Sequence, residues 1–309
     1  MHLGIDIGGT KIELVVLDGA GDERYRTRIA TPHGAYSDAL AALTRLIAAA
    51  ETAVGTAGSI GIGVPGTLGL EDGVLRNAFA TPYNERPFGR DLAALLGRHV
   101  EVGNDANCFA LSEAVDGAGR GARVVFGVIL GTGVGGGLIV DGRIWTGANA
   151  MAGEWGHNPL PLRDEVPDPP VCGCGRRGCI EAYLSGPAMA RDHVRLTGKV
   201  LSTEAIVAAA DAGDAACGRT LARYEQHLAI VLAGVINLLD PDVIVLGGGV
   251  SRTGRLYRNV PAQWAAHTYL PPQATRLRPP AHGDASGVRG AAWLGLWAPA
   301  AEQGRAKRP

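Results

Sequence analysis

Residues Asp6 to Lys11 read DIGGTK: a carboxylate, two glycines, a hydroxyl and a cation within six positions. Gly8 and Gly9 let the backbone turn tightly and face N–H groups toward anionic oxygens. Thr10 adds a hydroxyl donor and Lys11 a positive charge, and Asp6 can reach a magnesium ion through water. A lone Gly-Gly-Thr is more often an ordinary hairpin turn, but this one has company. In LGTGVGGG, Leu130 to Gly137, the residues Gly131, Thr132 and Gly133 repeat the theme. In LGGGV, Leu246 to Val250, Gly248 lies where a flat base and ribose could rest on bare backbone. Three glycine turns, each after a short apolar run, are suited to holding a triphosphate from more than one side. No GxxxxGK[ST] occurs, and no strand–GxGxxG–helix with a following acid, so neither a Walker loop nor a dinucleotide fingerprint explains them.

Other residues address the acceptor. Asp105, in GNDANC, sits at a strand end before a helix, where a carboxylate can take a proton from a hydroxyl during phosphoryl transfer. Asn104 beside it can hold a neighbouring hydroxyl, or the pair can simply cap the helix. In AGEWGHNPL, Glu154 and His157 are three apart and share a face if the segment is helical, which suits vicinal hydroxyls. Downstream, VCGCGRRGC places Cys172, Cys174 and Cys179 in a C-x-C-x4-C pattern. Three thiolates need a fourth ligand for tetrahedral zinc, and His157 is the nearest upstream candidate. Cys3His leaves no open position, so this zinc would be structural. Cys108 and Cys217 fall on helical segments and read as core thiols.

These groups need elements to position them. Strand signals at LGIDIG, KIELVVLD, RYRTRIA, SIGIGVPG and VEVGND alternate with helical spacing over Asp38–Val54, a short helix in GRDLAALLGR and a helix running to a glycine stop in ANCFALSEAVDGAG. A second cycle has the hairpin RVVFGVILGTGVGGGLIVDGRI, a long helix over Arg219–Leu239, the strand in DPDVIVLGGGV and a last helix in SGVRGAAWLGLW. The theme appears twice, which predicts two α/β lobes with glycine turns facing a shared cleft. The expected division is 1–117 plus 288–309 for one lobe and 118–287 for the other. The Pro-rich stretch 163–171 reads as a surface loop, and the basic tail is given no function.

Bulk composition agrees. The chain has 309 residues, 46% hydrophobic and 19% charged, with a formal net charge of −1. That argues against nucleic acid as a partner, which needs clustered Lys and Arg. No apolar run approaches a membrane span and no leader is recognisable, so the expectation is a cytoplasmic protein with reduced thiols and no membrane partner.

Together, GIDIGGTK, GNDANC, EWGH and CGCGRRGCIE, in this order, resemble the ROK family of sugar kinases and repressors, over essentially the whole chain. The stretches EAVDGA, AGEWGHNPLP, DPDVIVLGGG and HGDASGVRGAAWL are most similar to the bacterial fructokinase branch. NDANCFALSEA and VILGTGVGGGLIV look nearly as similar to the N-acetylglucosamine kinases. The resemblance implies the two-lobed actin-like ATPase (hexokinase/ribonuclease H-like) fold. It implies ATP-dependent phosphorylation of a hexose at its 6-hydroxyl, fructose first, with N-acetylglucosamine, glucose and mannose as alternatives. It makes Asp105 the base. It makes Asn104, Glu154, His157 and Glu181 binders of sugar hydroxyls, and assigns phosphates to Gly9, Thr10, Lys11, Gly131, Thr132 and Gly133. Gly248 would lie near the adenosine, Mg²⁺ near Asp6, and structural Zn²⁺ on His157, Cys172, Cys174 and Cys179. A homodimer is implied as well. Repressors of the family carry a DNA-binding helix pair ahead of the first glycine turn, for which the five residues before Asp6 leave no room. Discrimination between hexoses is expected in Asn77–Phe88 and around Trp155.

Overall fold

The computed structural model describes residues 1–78, 81–161, 168–272 and 274–297. The expected loop residues 163–167 and the basic tail fall outside them. Contacts divide the chain into two compact units: 1–116 with 146–151 and 285–309, and 117–145 with 152–284. The second unit thus extends to residue 284 rather than 287, and 146–151 goes with the first.

Among the described residues, the first unit is built on a five-stranded sheet. Strands β1 (His2–Ile7), β2 (Lys11–Leu17) and β3 (Glu23–Ala30) form an antiparallel meander. Strand β4 (Ser59–Val64) pairs parallel with β1, and after the small hairpin of β5 (Thr67–Leu68) and β6 (Leu75–Arg76), β7 (Glu101–Asn104) pairs parallel with β4. The central strands are apolar on both faces because both are covered. The outer strand β3 instead alternates and carries Arg24, Arg26 and Arg28, charges that blunt an open sheet edge. Arg26 and Arg28 reach across to the buried Glu13 on β2.

Helices α1 (Tyr36–Val54) and α2 (Phe88–Leu96) belong to this unit, α1 turning Leu43, Ile47 and Ala50 inward at helical spacing. Helix α3 (Asp105–Val115) and the last helix, Ser286–Leu294, pack tightly together, and the last helix also lies on β1 and β4. The approach is backbone to backbone: a methyl added at Gly61 would overlap the Ala291 carbonyl, and one at Gly290 the Cys108 carbonyl.

In the second unit, β8 (Val124–Leu130) and β9 (Val134–Val140) form the glycine-rich hairpin, with β10 (Arg143–Ile144) outside it. Strands β11 (Val243–Gly247) and β12 (Arg276–Arg278) continue the sheet in parallel from β8. The strand order, β10-β9-β8-β11-β12, repeats that of the first unit, β3-β2-β1-β4-β7. Helices α4 (Glu181–Leu184), α5 (Gly186–Thr197), α6 (Thr203–Asp211), α7 (Ala215–Leu239) and α8 (Leu256–Asn259) follow. Helix α7 starts four residues before the expected Arg219 because Asp214 caps it, accepting the Cys217 amide at 2.8 Å. The last helix, α9 hereafter, closes the order. No helix among the described residues is long and apolar enough to cross a membrane.

Candidate active site and metal centre

The first unit carries the DIGGTK turn between β1 and β2. Gly8 donates its amide to Lys11 O at 2.9 Å, and Thr31 donates its hydroxyl to Gly8 O at 2.6 Å. The Gly8 amide, expected to face an anion, is therefore spent within the hairpin. Thr10 is exposed, and Lys11, half exposed, stands 3.6 Å from Glu13.

Where β7 meets α3, Asn104 is the helix cap. Its Oδ1 accepts the amides of Ala106 at 2.9 Å and Asn107 at 3.3 Å, and its Nδ2 donates to Gly66 O at 3.0 Å. The capping function, one of the two open to the sequence, is the one its side chain performs here. Asp105 is thereby fixed as the first helical residue, its carboxylate accepting the Ala106 amide at 2.8 Å. Burial pushes the Asp105 pKa above the ordinary carboxylate range, only partly opposed by that amide. Asp6 is pushed up as well, to about 7, first by burial, then by the charges of Asp105 and Glu13, with Lys11 opposing. Two carboxyl groups in one dry pocket resist ionising together.

In the second unit the LGTG turn closes on itself, Gly131 N to Gly133 O at 3.0 Å, and Gly186 donates to Gly131 O at 2.8 Å. Thr132 is exposed. Glu181, at the start of α4, accepts the Val134 amide on Oε2 at 3.0 Å. A side chain at position 133 would meet that same oxygen at 2.7 Å, so glycine is required for the carboxylate to reach. Gly248 has φ +79°, and an added methyl would overlap the Leu130 carbonyl. It opens a cavity of about 430 Å³, flanked by Ser251, Tyr257, Pro280 and the Arg252–Asp284 pair, whose contacts are 2.6 and 2.8 Å. Neither Arg252 nor Asp284 stands out by spacing or type in the sequence, although Asp284 belongs to the HGDASG run.

His157, Cys172, Cys174 and Cys179 converge, with all ligand atoms within 4.8 Å of one another. Cys172 Sγ lies 3.6 Å from His157 Nδ1, and Cys174 Sγ 3.7 Å from Cys179 Sγ. Bonds of about 2.3 Å to sulfur in a tetrahedron imply edges of roughly 3.8 Å; the two short pairs match this, and the others, none beyond 4.8 Å, close on zinc with small side-chain shifts. Local backbone explains the convergence. Cys172 and Arg176 form a tight turn, N to O at 2.8 Å, while Leu160 N to Gly178 O and Ile180 N to Asn158 O lace the histidine segment to the last cysteine. The Arg176 amide and guanidinium pull the Cys174 thiol down, toward thiolate. Cys172 Sγ also donates to Glu181 Oε1 at 3.3 Å, so one carboxylate spans the metal cluster and the glycine turn.

Glu154 precedes a single 3-10 turn, Trp155–His157, rather than a longer helix. Trp155 is buried against Phe126, and its indole N–H donates to Gly135 O at 2.9 Å, so its own side chain braces the turn. In the stretch Asn77–Phe88, of which residues 79 and 80 are not described, Tyr83 and Phe88 are fully buried and pack with tilted rings, centroids 4.5 Å apart. Cys108 and Cys217 are buried core thiols.

The ROK family model matches residues 2–297. The chain belongs to the ROK family. This ROK protein is 41% identical over 302 residues to the N-acetyl-D-glucosamine kinase of Salmonella heidelberg, covering 96% of this chain and 99% of that one. Among solved structures it is similar to the ROK hexokinase from Thermus thermophilus, with 31% identity, TM-score 0.84 and 96% and 97% of the two chains covered. It is also similar to a ROK family glucokinase from Streptomyces griseus in complex with glucose and AMPPNP, with 29% identity, TM-score 0.78 and 96% and 99% covered. The fold is accordingly the α/β actin-like ATPase fold. A ROK transcriptional regulator at 24% identity and TM-score 0.82 shares that fold.

Proposed function

We propose that this ROK protein is an ATP-dependent sugar kinase that phosphorylates a hexose at its 6-hydroxyl, with N-acetyl-D-glucosamine as the leading acceptor. The observation that carries the reaction is Asp105, a buried carboxylate held at the first turn of α3 by the Asn104 cap. The acceptor hydroxyl attacks the terminal phosphorus as its proton passes to Asp105, and ADP leaves. Transfer of this kind depends on positioning and charge neutralisation rather than on covalent intermediates. Glu154, His157 and Glu181 bind sugar hydroxyls, joined by Asn104 where its cap bonds allow. Gly9, Thr10, Lys11, Gly131, Thr132 and Gly133 hold phosphates, and the cavity beside Gly248 takes the adenosine. A magnesium ion supplies charge neutralisation when bound, and Asp6 is the carboxylate assigned to it. Zinc on the Cys3His set serves structure. A homodimer in the cytoplasm completes the reading.

The acceptor is argued from the 41% identity to N-acetyl-D-glucosamine kinases along nearly the whole chain. Fructose is the second reading, on the motifs EAVDGA, AGEWGHNPLP and HGDASGVRGAAWL. An ADP-release assay with N-acetylglucosamine, fructose, glucose, mannose and no sugar tests both, the expected order of kcat/KM starting with N-acetylglucosamine. Asp105→Asn is expected to lower kcat by about 10²–10⁴-fold. Equal turnover without sugar, or a near-normal Asp105→Asn enzyme, rejects the kinase reading; fructose at the head of the order replaces the acceptor alone.

A further inference from the structure

Behind the metal cluster, between α4, α5 and α7, lies a cavity of about 200 Å³ that none of the roles above uses. Its floor is apolar, with Tyr183, Met189 and Tyr224. The Tyr224 hydroxyl is already engaged, donating to Leu184 O at 2.7 Å, so the ring alone faces the space.

The rim is cationic. Arg191, Arg195 and Arg223 all border the cavity. Asp192 splays two of them, accepting Arg195 on Oδ1 at 2.8 Å and Arg223 on Oδ2 at 3.2 Å. One carboxylate against three guanidiniums leaves two positive charges over. The other acid at the rim, Asp168, is taken by Arg177 at 2.6 Å. The third feature is His227, whose ring borders the same cavity and is 4% exposed. Burial pushes the His227 pKa down to about 4, with Arg223 adding to the shift, so the ring is neutral at pH 7 and adds no charge to the rim.

We propose that this cavity is a second ligand site, for a small anion with an apolar body. Arginines at the rim hold the anionic group bidentately, and the tyrosine rings and Met189 cover the apolar part.

Phenyl phosphate is the probe. It is titrated calorimetrically into the full zinc-loaded chain with AMPPNP present, which keeps it off the phosphate turns. One-to-one binding with Kd below about 1 mM is expected, at least tenfold tighter than inorganic phosphate or benzyl alcohol. The double variant Arg191→Gln/Arg195→Gln, whose thermal midpoint should match the parent, is expected to weaken binding at least tenfold. Absence of binding by phenyl phosphate, affinity unchanged in the arginine variant, or inorganic phosphate binding equally well would each overturn the proposal.

Discussion

Asn104 and Asp105 are adjacent, and the fold divides the work between them. Asn104 spends its oxygen on the first free amides of α3 and its nitrogen on Gly66 O, which leaves Asp105 fixed by a rigid neighbour. The dry pocket that raises Asp105 also raises Asp6, from 3.8 to about 7. The sign follows directly. Between pH 4 and 7 the unfolded chain has lost this proton and the folded chain retains it, so stability declines as pH rises through that window, by on the order of 4 kcal/mol. Asp6→Asn removes the titration. Denaturant unfolding without nucleotide or magnesium should therefore show the variant gaining on the parent steadily from pH 4.5 to 8. A parallel pair of curves would mean that Asp6 is ionised throughout. Legibility at this scale was uneven. The carboxylate at position 105 was evident from GNDANC, but the burial of Trp155 was not, because a tryptophan beside EWGH looks the same whether it lines a pocket or braces a turn.

Two kinds of glycine occur in these helices, and the same substitution should separate them. At Gly290 in α9 a methyl would run into the Cys108 carbonyl, so Gly290→Ala is expected to cost about 3 kcal/mol or more. At Gly234, exposed in α7, nothing lies within 4 Å, and Gly234→Ala should stabilise by about 0.5–1 kcal/mol. Chemical denaturation of both variants checks the opposed signs. The metal knuckle makes a second prediction. Because Cys179 stands two residues before Glu181, whose carboxylate also accepts the Val134 amide, chelating the zinc is expected to lower the thermal midpoint and raise the sugar KM together, with zinc restoring both. A fallen midpoint with unchanged KM would confine the knuckle to stability. Helices α1, α7 and α9 were legible from their apolar residues, and α3 from the run ANCFALSEAV that ends in a glycine stop. Helices α5 and α6 were not: α6 fully buries Ile206 alone, and Met189 is the one large apolar side chain that α5 buries, so neither shows a long apolar stripe.

Across the whole chain, the repeated sheet order is the largest feature the sequence made visible, since each half opens on a hairpin with a glycine turn and continues with parallel strands. The acceptor sugar was less legible, because hydroxyl-binding residue types are shared among hexoses and do not by themselves exclude an acetamido group. One further property follows from where α9 sits. The ribosome finishes β1 within seven residues, but the helix that covers β1 and β4 emerges about 280 residues later. At about 5–20 residues per second, the strip around Gly4 and Gly61 stays uncovered for roughly 15–55 s in every molecule made. During synthesis the nascent chain thus presents an apolar groove shaped for a helix, a natural landing place for a chaperone, and the second unit can finish folding before the first.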